Sequence, residues 1–270
     1  MREDIAVIVL AGGLGRRFGM PKIHAKVGDK TFLEAVLEVA SQVGDPYVSV
    51  SQRLIKEPLR ISMARIIVDI ELPIRCEGPI RGIVTSAYSL SDYSGLVFVP
   101  VDAIYITPRT LRLLVEAGER CGCPTTYYTG DGNVHSLYLY SPTEDLRGII
   151  GYVCNSKSLK PRATSIVRAF LSVKLLDAAR VGESRSILAV NKPEDLTSER
   201  KPPPPGSGSI LLEGHGQLYR TAGDLRPLDA INNLLSEYRL YKSHGLNLLA
   251  RHVALDIGEI SKHIPLPDHG

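Results

Sequence analysis

The sequence predicts an α/β protein, a Rossmann-like and mostly parallel sheet with helices on both faces, followed by a small C-terminal helical appendage. Three observations carry this. The first six residues of the first apolar run, Ile5–Leu10, are all hydrophobic and lead straight into glycines. Short runs rich in β-branched residues then alternate with stretches of helical periodicity, the pattern of βαβ units. Finally, Pro202 to Pro205 interrupt the chain before a last segment with two apolar stripes at helical spacing.

Residues 5–10 read as a strand covered on both faces, because no polar residue alternates within them. Thr31 and Glu34 stand in capping-box spacing, and Phe32, Val36, Val39 and Val43 recur on one side of the helix they open. Strands are expected at 47–51 and 65–69. Pro79 opens a helix whose Ile80, Ile83, Val84, Ala87 and Leu90 face inward, leading to a strand at 96–99. Thr107 and Pro108 start the next helix, with Leu111, Leu114 and Val115 inward. The stretch 124–140 alternates and carries a Gly130-Asp131-Gly132-Asn133 turn, which predicts a β-hairpin. Helices are expected at 142–150 and 163–179, with a short strand at 186–190.

A boundary is placed near residue 200, where prolines stiffen the chain and Gly206 and Gly208 release it. Beyond it a small hairpin is expected from 210–212 and 217–220. Two amphipathic helices follow at 228–242 and 246–263. Their stripes, Leu234, Leu235, Tyr238 and Tyr241 and then Leu246, Leu249, Ala250, Val253, Ile257 and Ile260, need cover. The appendage, 201–270, is therefore expected to serve self-association or to dock a protein partner, leaving any ligand site in 1–200 complete.

A net charge of +3, from 32 basic and 29 acidic residues, gives no basic field of the kind that binds nucleic acid non-specifically. No stretch approaches the roughly 18 apolar residues that span a bilayer, and no cleavage pattern follows the first run, so a cytoplasmic location is expected. Cys76, Cys121, Cys123 and Cys154 lack zinc-ribbon spacing and are expected to be ordinary buried thiols.

The loop after the first strand is the most informative segment. Gly12, Gly13, Gly15 and Gly19 allow the main chain to approach a ligand, and successive N–H groups there can line an anion site. Arg16, Arg17 and Lys22 add positive charge where phosphates would lie, which suits a pyrophosphoryl leaving group. Phe18 stands where a dinucleotide fingerprint needs glycine, and no Lys-Ser/Thr pair closes a Walker loop. A second constellation, Pro100-Val101-Asp102 after an apolar strand, places a carboxylate at the edge where open α/β sheets bind ligands. Asp102 is suited to hold Mg²⁺ against a phosphate.

The segment LAGGLGRRFGMPK resembles the signature of the MobA-like nucleotidyltransferases, the molybdenum cofactor guanylyltransferase family. Gly78-Pro79-Ile80-Arg81-Gly82, Pro100-Val101-Asp102 and Asn191-Lys192-Pro193-Glu194-Asp195-Leu196 resemble three further segments of that family, in the same order, over residues 1 to about 198. The resemblance implies that Leu10, Ala11, Gly12 and Gly13 contact base and ribose and that Arg17 and Lys22 contact the phosphates. Gly78 and Gly82 would lie on the nucleotide side, Asp102 on the magnesium, and Asn191 near the metal or the acceptor. The implied reaction is transfer of a nucleoside monophosphate from an NTP, GTP by resemblance, to a phosphorylated acceptor such as molybdopterin, with Mg²⁺ as cofactor. A sugar, polyol or cobinamide phosphate acceptor, or a non-catalytic nucleotide-binding regulator, are the alternatives. Asp69 ends a strand as a turn cap or as a ligand of ribose or base. Tyr127, Tyr128, Tyr138 and Tyr140 are expected to pack on strands, with one able to flank a flat acceptor.

Overall fold

The computed structural model describes residues 4–13, 15, 17–54, 63–70, 75–156, 158–197 and 201–262. Its elements in chain order are β1 (Ile5–Leu10), β2 (Lys26–Val27), β3 (Lys30–Thr31), α1 (Phe32–Ala40), β4 (Asp45–Val50), β5 (Arg65–Val68), α2 (Pro79–Ser89), β6 (Gly95–Pro100) and α3 (Pro108–Cys121). There follow β7 (Thr125–Tyr128), β8 (Val134–Pro142), α4 (Thr143–Cys154), α5 (Ala163–Ala169), β9 (Ser172–Asp177), β10 (Ile210–Glu213), α6 (Gly216–Ala222), α7 (Pro227–Ser243) and α8 (Asn247–Ser261). Among the described residues, no helix is long and apolar enough to cross a membrane.

One eight-stranded sheet, ordered β10-β9-β7-β8-β6-β1-β4-β5, forms the frame. β1 lies parallel to β4 and β6, β4 parallel to β5, and β7 parallel to β9; the β8 pairings and the β9–β10 pairing are antiparallel. Alternation along β1 assigns the faces, since successive side chains of a strand point opposite ways. Ala6, Ile8 and Leu10 join the buried cluster with Ile83 of α2, Ile149 of α4 and Val167 of α5. Ile5, Val7 and Val9 join Phe32 and Val36 of α1 and Leu111 and Leu114 of α3. The expected capping box on α1 is present, with the Thr31 N–H donating to Glu34 Oε2 at 2.7 Å and the Glu34 N–H to Thr31 Oγ1 at 3.2 Å.

Several expectations are corrected. The helix expected over 163–179 stops at Ala169: Phe170 turns extended, and residues 172–177 become β9, between β7 and β10 in the sheet. Residues 186–190 form turns and irregular chain instead of a strand. The Ser186 and Thr110 hydroxyls both donate to the buried Glu183 carboxylate at 2.5 Å, which holds that segment curled beside α3. The hairpin expected beyond 208 does not form, because residues 217–220 lie within helix α6 and β10 pairs with β9. The cysteines are not free thiols: Cys76 is bonded to Cys154, 78 residues away, and Cys121 to Cys123. The first bridge joins the entry of α2 to the end of α4, a proximity that spacing along the chain does not reveal.

Most of the stripe residues of the C-terminal helices find cover within the chain, Leu235 remaining exposed. Leu234, Tyr241, Leu249, Ala250, Val253 and Ile260 lie in the same buried cluster as Ile166 and Val167 of α5 and Leu175 of β9. At their centre Arg168, with no exposed side-chain surface, donates from Nε and Nη2 to both oxygens of Glu237, at 2.7 and 2.8 Å, and from Nη1 to Asp256 Oδ2 at 2.6 Å. The guanidinium also lies over the Tyr219 ring, 4.7 Å from its centroid.

Candidate functional site

The parallel strands end together on one edge, and the loops leaving them enclose a cavity of about 730 Å³. This is the edge where β1 gives way to Gly12 and β6 to Asp102, as strand directions alone require of an open α/β sheet.

The glycine loop is shaped by its own constraints. Gly15 has φ +60°, and a Cβ there would lie 1.8 Å from the Met20 carbonyl oxygen, so no larger residue closes the loop this way. The Gly15 carbonyl accepts from the N–H groups of Phe18 and Gly19, at 2.8 and 3.0 Å, and Phe18 packs edge-on against Phe32 of α1. A short 3-10 turn over Lys22–His24 then returns the chain, with Ile23 buried beneath it, and so aims Lys22 back into the cavity.

Lys22 Nζ lies 2.5 Å from Asp102 Oδ2 and 3.4 Å from Asn191 Oδ1, joining residues 80 and 169 positions apart. Asp102 is held by its own backbone: the Val190 N–H donates to its carbonyl at 2.9 Å, which brings the 186–191 segment alongside. Asn191 is fixed by the Asp195 carboxylate, which accepts from the Asn191 and Lys192 N–H groups at 2.7 and 2.8 Å. Two hard oxygen donors thus face the Lys22 ammonium. Among the described residues no group of three or more His, Cys, Asp or Glu side chains forms a metal cluster. A divalent ion here would take Asp102 and Asn191 as protein ligands and complete its shell with phosphate oxygens and water, the usual habit of magnesium.

Leu10, Gly12, Gly13, Gly15, Arg17, Lys22, Gly78, Gly82, Asp102 and Asn191 all line the same cavity. Ala11 lies buried behind it, its N–H bonded to the Ser49 carbonyl. Arg16 lies outside the described residues. Gly78, at φ +59°, turns the chain into α2, and Gly82 in the first turns of that helix leaves room for Ser49, whose hydroxyl a Cβ would approach to 2.4 Å.

Ser49 and His135, not singled out from the sequence, line the cavity, as do Asp69 and Tyr138, which the sequence offered with alternative roles. Ser49 of β4 donates to Asp69 Oδ1 at 2.8 Å, and Asp69, just beyond β5, is buried beside Gly12. Burial raises the Asp69 carboxyl above its ordinary range, with the Ser49 hydrogen bond and Arg81 opposing that shift. On the other flank, His135 and Tyr138 of β8 enter the cavity. Burial lowers the His135 imidazole to about 4 and pushes the Tyr138 phenol well above its usual value.

The sequence model of the MobA-like NTP transferase domain matches residues 7–164. A probable molybdenum cofactor guanylyltransferase of Methanothermobacter thermautotrophicus is 28% identical over 203 residues, 73% of this chain and 99% of that protein. One from Bacillus cytotoxicus is 38% identical over 111 residues, 41% of this chain, so that the chain spans 55% of that relative's length. The fold is shared with molybdopterin-guanine dinucleotide biosynthesis protein A of Archaeoglobus fulgidus, at TM-score 0.59 and 23% identity over 71% of this chain and 95% of that one. It is shared also with 2-C-methyl-D-erythritol 4-phosphate cytidylyltransferase of Thermus thermophilus, at TM-score 0.52 and 18% identity over 72% and 96% of the two chains. With the glycine loop, Lys22, Asp102 and Asn191 gathered on one cavity and more than half of its length matched, the chain belongs to the MobA-like NTP transferase domain family.

Proposed function

We propose that the protein transfers GMP from GTP to the terminal phosphate of molybdopterin, releasing pyrophosphate. The observation that carries this reading is the meeting of the Lys22–Asp102 pair and Asn191 with the glycine loop in one cavity, in a chain whose curated relatives are named guanylyltransferases. The volume, about 730 Å³, suits a nucleotide with part of a second substrate.

The sheet order supports a side-by-side arrangement of the two substrates. Asp69 just beyond β5, Ser49 on β4 and Leu10 to Gly13 at the end of β1 would offer the base and ribose a polar floor. Asp102 follows β6, at the middle, where the α-phosphate would be held. There an oxygen of the acceptor phosphate forms the new bond to the α-phosphorus, while the bond to the bridging oxygen breaks and its electron pair leaves with pyrophosphate. The nucleophile is already anionic, so no side chain need remove a proton. Lys22, Arg17 and the N–H groups of the glycine loop oppose the charge that grows on the leaving group. Asp102 and Asn191 would hold Mg²⁺, which supplies further neutralisation of the phosphates when bound.

The division into a nucleotidyltransferase body, residues 1–200, and a C-terminal segment, 201–270, belongs to the same proposal. It is supported by the cavity lining, which among the described residues includes none beyond Asn191. The test is a pyrophosphate-release screen crossing the four common NTPs with molybdopterin and with sugar, polyol and cobinamide phosphates under magnesium. Release that depends on GTP and molybdopterin together is expected; release with another pair alone would reassign the substrates.

A further inference from the structure

The β8 wall of the cavity is chemically unlike the rest. Val134, Leu137, Ala163, Ile187 and Leu188 make it apolar, and it lies across the Lys22–Asp102 pair from Asp69 and Ser49. Within it, the Tyr138 hydroxyl and His135 Nε2 are buried without a hydrogen-bond partner among the described residues. Tyr138 is only 3% exposed, and its ring meets that of His135 edge-on at 6.2 Å. Buried polar atoms without partners cost stability, and native proteins keep few of them. Two on one wall of a ligand cavity are explained if a ligand completes them.

We infer that Tyr138 and His135 are the specificity-determining pair for the acceptor, recognising an uncharged planar heterocycle through a neighbouring hydrogen-bond acceptor and donor on its edge. The inference rests on the transfer reading for which substrate lies on which side. The chemistry of the wall selects the class. Among the described residues it offers no cation for a second charge, and its three polar side chains, Tyr138, His135 and Ser136, are set among apolar ones, which favours a flat, largely apolar ring over the successive hydroxyls of a sugar or polyol. Burial keeps the phenol protonated, hence a donor, and keeps the imidazole neutral at neutral pH, so that it can accept. An amide-like edge, a carbonyl beside an N–H, matches that pair, and a flat ring suits the space beside the tyrosine.

The test uses the full chain with GTP present and pterin, a phosphate-free heterocycle with such an edge, as the probe; ribitol phosphate is the polyol comparison. Equilibrium binding, acceptor KM and thermal unfolding are measured for wild type, Tyr138→Phe, His135→Leu and His135→Gln. Tyr138→Phe should weaken pterin binding and raise the acceptor KM about tenfold, the loss of one hydrogen bond to a buried partner, with GTP affinity unchanged. Its unfolding midpoint should equal or exceed that of wild type, because the removed hydroxyl has no partner in the free protein. His135→Leu should match that loss, and His135→Gln, which can still accept, should recover part of it. Equal pterin binding in all four proteins, no pterin binding to wild type, or discrimination seen only with ribitol phosphate would overturn the inference. Failure of the transfer reading would look different: GTP would bind, yet no acceptor would release pyrophosphate, whatever the pterin result.

Discussion

Removing the Glu237 carboxylate should be among the most destabilising single changes in the molecule. Glu237→Ala takes away the partner of two guanidinium N–H groups of Arg168, at 2.7 and 2.8 Å, and of the Tyr241 hydroxyl at 3.0 Å, all fully buried. Breaking a buried ion pair from one side costs about 3–5 kcal/mol, because the remaining charge stays desolvated. Asp256 still accepts from Arg168 Nη1 at 2.6 Å, so the charge is not wholly orphaned and the lower end, roughly 3 kcal/mol, is expected. The double variant Arg168→Met/Glu237→Met should lose less than Glu237→Ala alone, since Asp256 keeps Arg162 and no unpaired guanidinium is left inside. Urea titration followed by circular dichroism measures both. A loss below about 1 kcal/mol for Glu237→Ala, the size expected of an exposed pair, would refute the reasoning.

Other outcomes can be checked in the same preparations. Gly82→Ala would set a Cβ 2.4 Å from Ser49 Oγ and turn that hydroxyl from Asp69, so the Kd for GTP should rise about tenfold by calorimetry; unchanged affinity would remove this corner from the nucleotide site. Lys22→Ala should lower kcat about 10²-fold with little change in GTP affinity, and equal losses in both would argue against a role in the transition state. His135 titrates near 4 when folded against an ordinary 6.5, so the unfolded chain takes up its proton first. Its contribution is therefore present above pH 6.5 and lost as the pH falls to about 4, on the order of 3 kcal/mol in all. A His135→Gln variant should show a flatter acid limb of stability than wild type over that window.

What could be read from the sequence were features local in the chain. β1 and its glycine loop, the Thr31 cap and Asp102 each announce themselves within a dozen residues, because the backbone need they meet is met by their neighbours. Asp69 was legible as a strand end with either role, and the cavity places it beside Gly12. Ser49 and His135 were not legible as site residues, since a polar residue on a strand gains its meaning from a neighbouring strand remote in sequence, and Tyr138 was legible only as one of four strand tyrosines able to flank a flat acceptor. β9 hid inside a helical reading because Val173, Leu175 and Leu176 continue the apolar spacing of α5, and only pairing with β7 and β10 makes it a strand. The same holds for Cys76 and Cys154, whose partnership depends on α2 and α4 lying side by side.

The most direct measurement follows the α-phosphorus of labelled GTP, with magnesium and molybdopterin, in wild type and Asp102→Asn. Label should pass into a product joined through the acceptor phosphate, with one pyrophosphate released per label transferred. Asp102→Asn should remain folded and lose at least about 10²-fold of that rate. Transfer at the wild-type rate in a folded Asp102→Asn protein, or label released as free GMP without reaching any acceptor, would contradict the assignment of this cavity to nucleotidyl transfer.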